Sequence, residues 1–583
     1  MNIAVGRRGS WSTVALCAAL LVSLAPSLRA QPAEDAGSAP AAGGELKNVA
    51  VIGVAKYEKL ISDIGFLGTI AGKPEWGQMV EGAFSFFTQG KGPNAIDKTK
   101  PWGVIVQTDG AQFLPVGCLP VLKPNDLFDV AKGFGAQVKE GEKGMTEIVM
   151  PNKKSIYVKL DGGMAFISVA PGSLAKLPPN PQEILSKLVG DYVIAGHVAV
   201  KNVPEMYRQF ALQAMQAGAQ QGMKQNPGES DESYAARQKM TEAQMKQMSQ
   251  MLNEIDSIKF GWAVDSQQQK TYADFSYTAL PGTKLAKQSA YGEPKTNFAG
   301  FYQPDAAATI TLAAQTDPKN MTEEDLAQFD TALKQMTDQI NAELDKKVDD
   351  AEARDAIKAA FAEWTAAAVE TIKTGQVDGG GAVMLSANSL TAIAGVHLKD
   401  PAKVESGFKK LEAAAKKQPD FPGVKWNAAE HAGVKFHTMT IPVPATEEKP
   451  RMLLGEEVNV AIGIGPNAAY FAVGKDNLET VNKAIDASAK EKGKSVPPFE
   501  LAISLGPIME VAAAQANEGP QKAIAQKVAD FLKDEAQGRD HIRAVGQIIP
   551  NGLKYHFEAE EGVLKAIGKA AAAKQEMMSR PPQ

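Results

Sequence analysis

The sequence predicts an α+β fold: a tandem duplication of mostly antiparallel sheets with helices packed on one face and helical hairpins inserted among the strands. Three observations predict it. Strand-like and helix-like stretches recur in the order unit one, unit two, unit one, unit two. Successive strand-like runs are joined by short Gly, Asn and Pro turns, which suits antiparallel pairing. Two long segments carry apolar residues at helical spacing. The halves are placed at residues 47–290, with a helical insertion at about 204–254, and 295–570, with a helical hairpin at about 322–375.

Unit one first spans residues 102–177. It opens with a strand at Trp102 and passes through Leu119 and Lys123-Pro-Asn-Asp into a helix over 127–134. Strands follow at 147–150 and 155–160. The turn Asp161-Gly-Gly leads to a strand from Met164, and a helix is expected from near Ser173. Residues 381–485 give the same order. A strand at Thr391 leads to a helix ending near Phe408, then to strands at 434–439 and 458–463. The turn Gly465-Pro-Asn leads to a strand from Ala468, and a helix begins at Asn477. Ser173 and Asn477 are expected to cap their helices, because such side chains accept from the unpaired amides of a first turn.

Unit two runs from Tyr192 through a long helical region to the hairpin strands 258–264 and 271–279, and again from Phe499 to strands 543–549 and 553–560. In the last strand Leu553, Tyr555, Phe557 and Ala559 share one face. Lys554, His556, Glu558 and Glu560 share the other, a period of two that marks a sheet with one wet face. Between the units, Leu326, Phe329, Leu333, Met336, Ile340 and Leu344 form one arm of the hairpin, and Ile357, Phe361, Trp364 and Ile372 the other. The first-half insertion is expected to break at residues 226–230, with Met240, Met245, Met248, Met251 and Leu252 on its second arm as the buried side of an amphipathic helix. Such a stripe can also serve as an adaptable binding surface.

The ends carry an address. Residues 1–30 hold Arg7 and Arg8, an apolar run from Trp11 to Leu24, Pro26 and a small residue at Ala30, the order of a cleaved signal peptide. The apolar run is shorter than the roughly 20 residues that span a bilayer. Arg7-Arg8 leaves twin-arginine export open as an alternative route. Residues 31–46 read as a flexible linker and 571–583 as a disordered tail. Cleavage after Ala30 removes Arg7, Arg8 and Arg29 and no acid, so the formal net charge moves from −5 to −8. A mildly acidic chain without a basic run argues against nucleic acid as a partner, and no later segment reads as transmembrane. Cys17 leaves with the signal, so Cys118 stands alone and no intrachain disulfide forms. Its apolar strand-like surroundings suit a small buried hydrophobe better than a nucleophile.

Catalytic, cofactor-binding and metal residues are all expected to be none. Of His197, His397, His431, His437, His541 and His556, only His431 and His437 lie close in sequence, and a separation of six suits no simple ligand pair. His197 and His397 read as core or edge residues, and His556 as solvated. Hydrolase elbows, phosphate loops and dinucleotide turns are missing. Gly379-Gly-Gly reads as a hinge. Glu323-Glu324 and Asp349-Asp350 read as solvated helix surface.

Lys123-Pro-Asn-Asp entering a helix, with Asp161-Gly-Gly-Met-Ala-Phe-Ile-Ser-Val, resembles uncharacterised secreted bacterial proteins of the planctomycete type. Those large two-half α+β chains overlap a family known only as a domain of unknown function. The resemblance implies an envelope or extracellular location and transfers no functional residue. The expected function is a non-catalytic exported protein, periplasmic or of the cell envelope, with a binding or structural role. Its expected partner is another envelope protein or an apolar ligand, and no cofactor is expected. The alternative is an exported hydrolase with a dispersed active site in the cleft between the halves.

Overall fold

Runs rich in Val, Ile, Tyr and Phe, bounded by Gly, Asn and Pro, fold as antiparallel ladders throughout the computed structural model. It describes residues 45–579 except 88–91, 223, 226–230, 321–322, 419–420 and 537. The expected signal peptide, most of the linker and the break at 226–230 lie outside the described residues.

The first half contributes β1 (Lys47–Val54), β2 (Trp102–Thr108), β3 (Phe113–Pro120), β4 (Gln137–Glu140), β5 (Met145–Val149), β6 (Ser155–Asp161), β7 (Met164–Ser168), β8 (Ile194–Val198), β9 (Ile255–Asp265) and β10 (Lys270–Ala279). In the second half come β11 (Lys295–Thr296), β12 (Ala308–Gln315), β13 (Gln376–Ser386), β14 (Ser389–His397), β15 (Lys425–His431), β16 (Val434–Pro442), β17 (Glu457–Ile464), β18 (Ala468–Gly474), β19 (Lys494–Ser495), β20 (Phe499–Ser504), β21 (His541–Ile549) and β22 (Gly552–Glu560). The short β11 and β19 pair only with each other. The other strands form one sheet of 20 strands.

The order of that sheet repeats. From the middle outward the first half runs β10-β9-β8-β1-β2-β3-β7-β6-β5-β4. The second runs β22-β21-β20-β12-β13-β14-β18-β17-β16-β15. The pairing of β10 with β22 joins them. Helix placement repeats as well. A helical pair separates β1 from β2 (Tyr57–Ile70, Trp76–Phe87) and β12 from β13 (Glu323–Lys347, Ala351–Ile372). Another separates β8 from β9 (Glu205–Gly222, Asp231–Glu254) and β20 from β21 (Leu505–Gln515, Pro520–Asp534). Two of these four pairs are the helical insertions expected from the sequence.

The α+β class holds, with one correction to the helix packing. In each half, helices lie on both faces. Phe166 packs with Ile105, Val116 and Leu185 of the helix Pro181–Val189. Its neighbours Ala165 and Ile167 point the other way, toward Leu127 and Phe128 of Pro124–Gly133. The second half places Phe436, Ile393 and Ala472 against Val481 and Ile485 of Asn477–Lys490, while Ala469 meets Ala367 and Val404 across the sheet.

Other local expectations change. Residues Pro171–Leu174 form a single tight turn and the helix starts at Pro181, because Pro178 and Pro179 cannot continue a helix interior. The buried Ser173 hydroxyl caps nothing, whereas Asn477, the first residue of its helix, accepts from the Leu478 amide at 2.7 Å and donates its side-chain amide to the Asn459 and Ala472 carbonyls. Asp350 is exposed as expected, but it precedes the helix Ala351–Ile372 and caps it by accepting from the Glu352 and Ala353 amides. Gly379, Gly380 and Gly381 lie inside β13 and form no hinge. The expected tail is helical as far as Ser579. Among the described residues no helix is long and apolar enough to cross a membrane.

Both sheet edges are blunted. The edge strand β4 has four residues, three of them exposed, including Lys139 and Glu140. At the other edge β15 breaks register between Lys425 and Ala429, with Asn427 at a φ of 52°. Short, charged or bulged edges resist pairing with another chain.

Candidate functional site

The turns Gly162-Gly163 and Pro466-Asn467 join equivalent hairpins, β6 to β7 and β17 to β18. Stepping through the cross-strand registers from there places Gly103 on Gly380, Val116 on Ile393 and Asp274 on His556. Asp274 and His556 are also direct partners in the β10–β22 ladder. The pseudo-two-fold axis of the molecule therefore runs through this pair.

Around it lies a polar cluster. Asp274 is only 9% exposed. It accepts from the Tyr192 hydroxyl at 2.5 Å and faces His556 Nδ1 at 2.7 Å and Lys554 Nζ at 3.1 Å. Lys270 Nζ meets Glu558 at 2.5 Å, and His556 Nε2 lies 3.6 Å from the same carboxylate. The Tyr272 ring sits 5.1 Å from the His556 ring. Burial pushes the Asp274 carboxyl up, but the bonds from Tyr192, His556 and Lys554 outweigh it and hold it below its ordinary value. Burial likewise opposes the Glu558 carboxylate, and Lys270 and His556 hold it low. Burial, then the bond to Asp274, raises the Tyr192 hydroxyl. His556, expected to be solvated, is thus engaged on both ring nitrogens, and its partner Asp274 lay 282 residues away, beyond the reach of local spacing.

The opposite face at the same level is apolar. One cross-strand row passes through Val104, Ile52, Gly196, Phe260 and Phe275 in the first half. It continues through Tyr555, Gly546, Phe499, Leu312, Gly379 and Val396 in the second. Eleven strands at about 4.8 Å make a strip roughly 50 Å long without a charged side chain. Its centre is half-buried. Its flanks are open, at Ile52 and Val104 on one side and at Leu312, Val396 (44% exposed) and nearby Phe471 (42%) on the other. The alternation of β22 signalled this face. The contributions of β1 and β12 carried no turn signature strong enough to mark them.

The remaining candidates are scattered. His431 bonds Asp486 at 2.7 Å, whereas His437 Nδ1 accepts from the Asn427 amide at 3.1 Å, so the two do not converge. With Nδ1 accepting, the neutral His437 ring carries its proton on the buried Nε2, which has no partner and lies 3.9 Å from Glu405. His541 lies between Glu560 and the Pro304 carbonyl. His197 sits half-buried within β8, and His397 ends β14 opposite Ala468. Cys118 is buried within β3, where desolvation pushes its thiol up to about 12. Met245, Met248, Met251 and Leu252 are half-buried on Asp231–Glu254. Among the described residues no three His, Cys, Asp or Glu side chains are grouped to hold a metal ion. No protein-family model matches the chain, and neither a curated relative nor a solved structure does.

Proposed function

We propose that the chain is exported across a membrane and works there as a non-catalytic binding protein, taking another envelope protein or an apolar ligand on the apolar face of its sheet. The observation that carries this reading is the exposed flank at Leu312, Val396 and Phe471, continuous with the half-buried aromatics Phe260, Phe275, Tyr555 and Phe499. A contiguous apolar surface of this kind costs solubility unless something binds it. The signal-like order of residues 1–30, and the resemblance to secreted planctomycete-type proteins, support the location.

The hydrolase reading would need a nucleophile beside a base. The His–Asp couple at the axis is the natural place to look, but His556 turns its second nitrogen toward Glu558, and not toward a hydroxyl or thiol. A photo-crosslinking residue at Val396, compared with one at Lys554 on the polar face, tests the binding reading in envelope fractions. Val396 should capture an envelope protein or a lipid and Lys554 should not. Equal labelling at both positions would overturn the assignment of the surface. Uncleaved protein retained in the cytosol would overturn the location.

A further inference from the structure

The β10–β22 ladder is the only strand pairing that joins the halves among the described residues. Among the described residues, none of the buried apolar clusters draws a side chain from β9, β10, β21 or β22. The cores lie to either side, around Ile105 and Phe166 in one half and Phe301 and Phe436 in the other. On its polar face the seam is held instead by Lys270–Glu558, Asp274–His556, Asp274–Lys554 and Tyr192–Asp274. On its apolar face, Phe275 opposite Tyr555 and Ala273 opposite Phe557 are only partly covered.

We propose that this seam is an acid-opened latch: lowering the pH unpairs β10 from β22 while the sheet within each half stays intact. The latch works by charge balance. Near neutral pH two carboxylates, Asp274 and Glu558, sit among Lys270, Lys554 and His556. Protonating both carboxylates leaves those cations facing one another with no counter-charge between them, and like charges at such range repel. Other carboxylates lie on the same face, Asp265 of β9 and Glu560 of β22 opposite Lys270, and Glu500 of β20 opposite Val545, but among the described residues none of them forms an ion pair with Lys270, Lys554 or His556. Tyr192 and Asp191 approach from the loop before β8, and Tyr272 lies on β10. Lys259 on β9 and Arg543 on β21 face the same side and add positive charge, and Arg543 is itself engaged with Glu560 at 3.7 Å. Two contacts outside the ladder keep the halves together when it opens. Gly568 of the helix Glu561–Ser579 packs on the Ala71 backbone, and Arg539 bonds Gln269 at 2.5 Å. Opening is therefore local rather than a separation of the molecule.

Amide hydrogen exchange on the full chain tests the latch, with rates corrected for their intrinsic pH dependence. Peptides covering 270–279 and 552–560 are compared with peptides covering β2–β3 and β13–β14 at pH 7 and in steps down to about pH 2, because both carboxyls are held below the ordinary carboxylate values. The seam should lose at least about tenfold more protection than the reference strands on acidification. The double variant Asp274→Asn, Glu558→Gln should show the exposed seam already at pH 7, with the reference strands unchanged. If seam and reference strands lose protection together, or if the double variant protects the seam as well as the wild type does, there is no latch.

Discussion

Asp274 and His556 occupy the same position in the two halves and bond to each other across the axis, Oδ1 to Nδ1 at 2.7 Å. A true homodimer would place like against like at such a point. Here the duplicated halves have diverged so that an acid meets a base, and Lys554 and Tyr192 complete the carboxylate's partners.

Asp274→Ala should therefore cost about 1–3 kcal/mol at pH 7, since it leaves the Tyr192 hydroxyl and the partly exposed Lys554 and His556 without their acceptor. Asp274→Asn, which keeps a hydrogen-bonding group, should cost less. Urea unfolding of each variant measures this, and a loss below about 1 kcal/mol for Ala would show the pair to be incidental. Exchanging the pair, Asp274→His with His556→Asp, should recover stability that either single change loses. The pH dependence has a definite sign. The folded carboxyls of Asp274 and Glu558 lie below their unfolded values, so their stabilisation is complete above the unfolded values of 3.8 and 4.5 and is lost as pH falls through the lower folded ones.

Gly103 and Gly380 are equivalent positions under close packing. A Cβ on Gly103 would stand 2.1 Å from the Ile52 carbonyl oxygen and 3.0 Å from the Gly53 Cα. A Cβ on Gly380 would stand 2.9 Å from the Phe301 Cβ and 3.3 Å from the Phe298 oxygen. Gly103→Ala must displace backbone as well as Leu185 Cδ2, 2.9 Å away, and should destabilise by about 1–3 kcal/mol or more. Gly380→Ala should cost a similar amount by pushing Phe301 from its fully buried site. Thermal unfolding of the two variants checks this, and an unchanged midpoint in both would contradict the tight approach.

Much of this was readable locally and the rest was not. The two faces of β22 follow from the alternation of Leu553 to Glu560, because period two is a property of adjacent residues. The repeated turns at Gly162 and Pro466 were likewise visible, and the repeated strand order rests on them. Gly379 to Gly381 misled because glycine usually interrupts structure, whereas here the missing side chain of Gly380 admits Phe298 and Phe301 against the sheet, and Gly379 and Gly381 stand close to the β14 backbone. The helices Tyr57–Ile70 and Trp76–Phe87 escaped notice between β1 and β2, though their counterparts between β12 and β13 have a regular apolar stripe. The seam cluster was out of reach, since its members come from residues 192, 270–274 and 554–558 and only the register assembles them.

His437 supplies a second pH signature. Burial depresses its pKa, Glu405 opposing, and the neutral ring accepts the Asn427 amide at the bulge that blunts the β15 edge. His197 is depressed in the same way, by burial and then Lys259. The unfolded chain then binds protons that the folded one does not. Stability should be full above the unfolded value of 6.5 and should fall as pH drops from there through the lower folded values. Urea midpoints between pH 8 and 5 read this directly, and His437→Gln should flatten the slope. A midpoint that rises on going from pH 7 to 5.5 would contradict the assignment.

Cys118 offers a probe of the first-half core that needs no mutation. Its Sγ lies under Phe166 and Val116 in the cluster facing Pro181–Val189, and its thiol is pushed up to about 12. Both burial and the scarcity of thiolate at neutral pH protect it from alkylation. Native protein should therefore stay unmodified by iodoacetamide at pH 8 over hours, and the label should appear at the rate at which the β2–β3–β7 core opens. Mass spectrometry of the peptide containing Cys118 gives that rate with rising urea. Labelling that tracks global unfolding places this core in the most stable unit, whereas rapid labelling without denaturant would mean that β3 is not closed as the register of Cys118 against Gly103 and Phe166 requires.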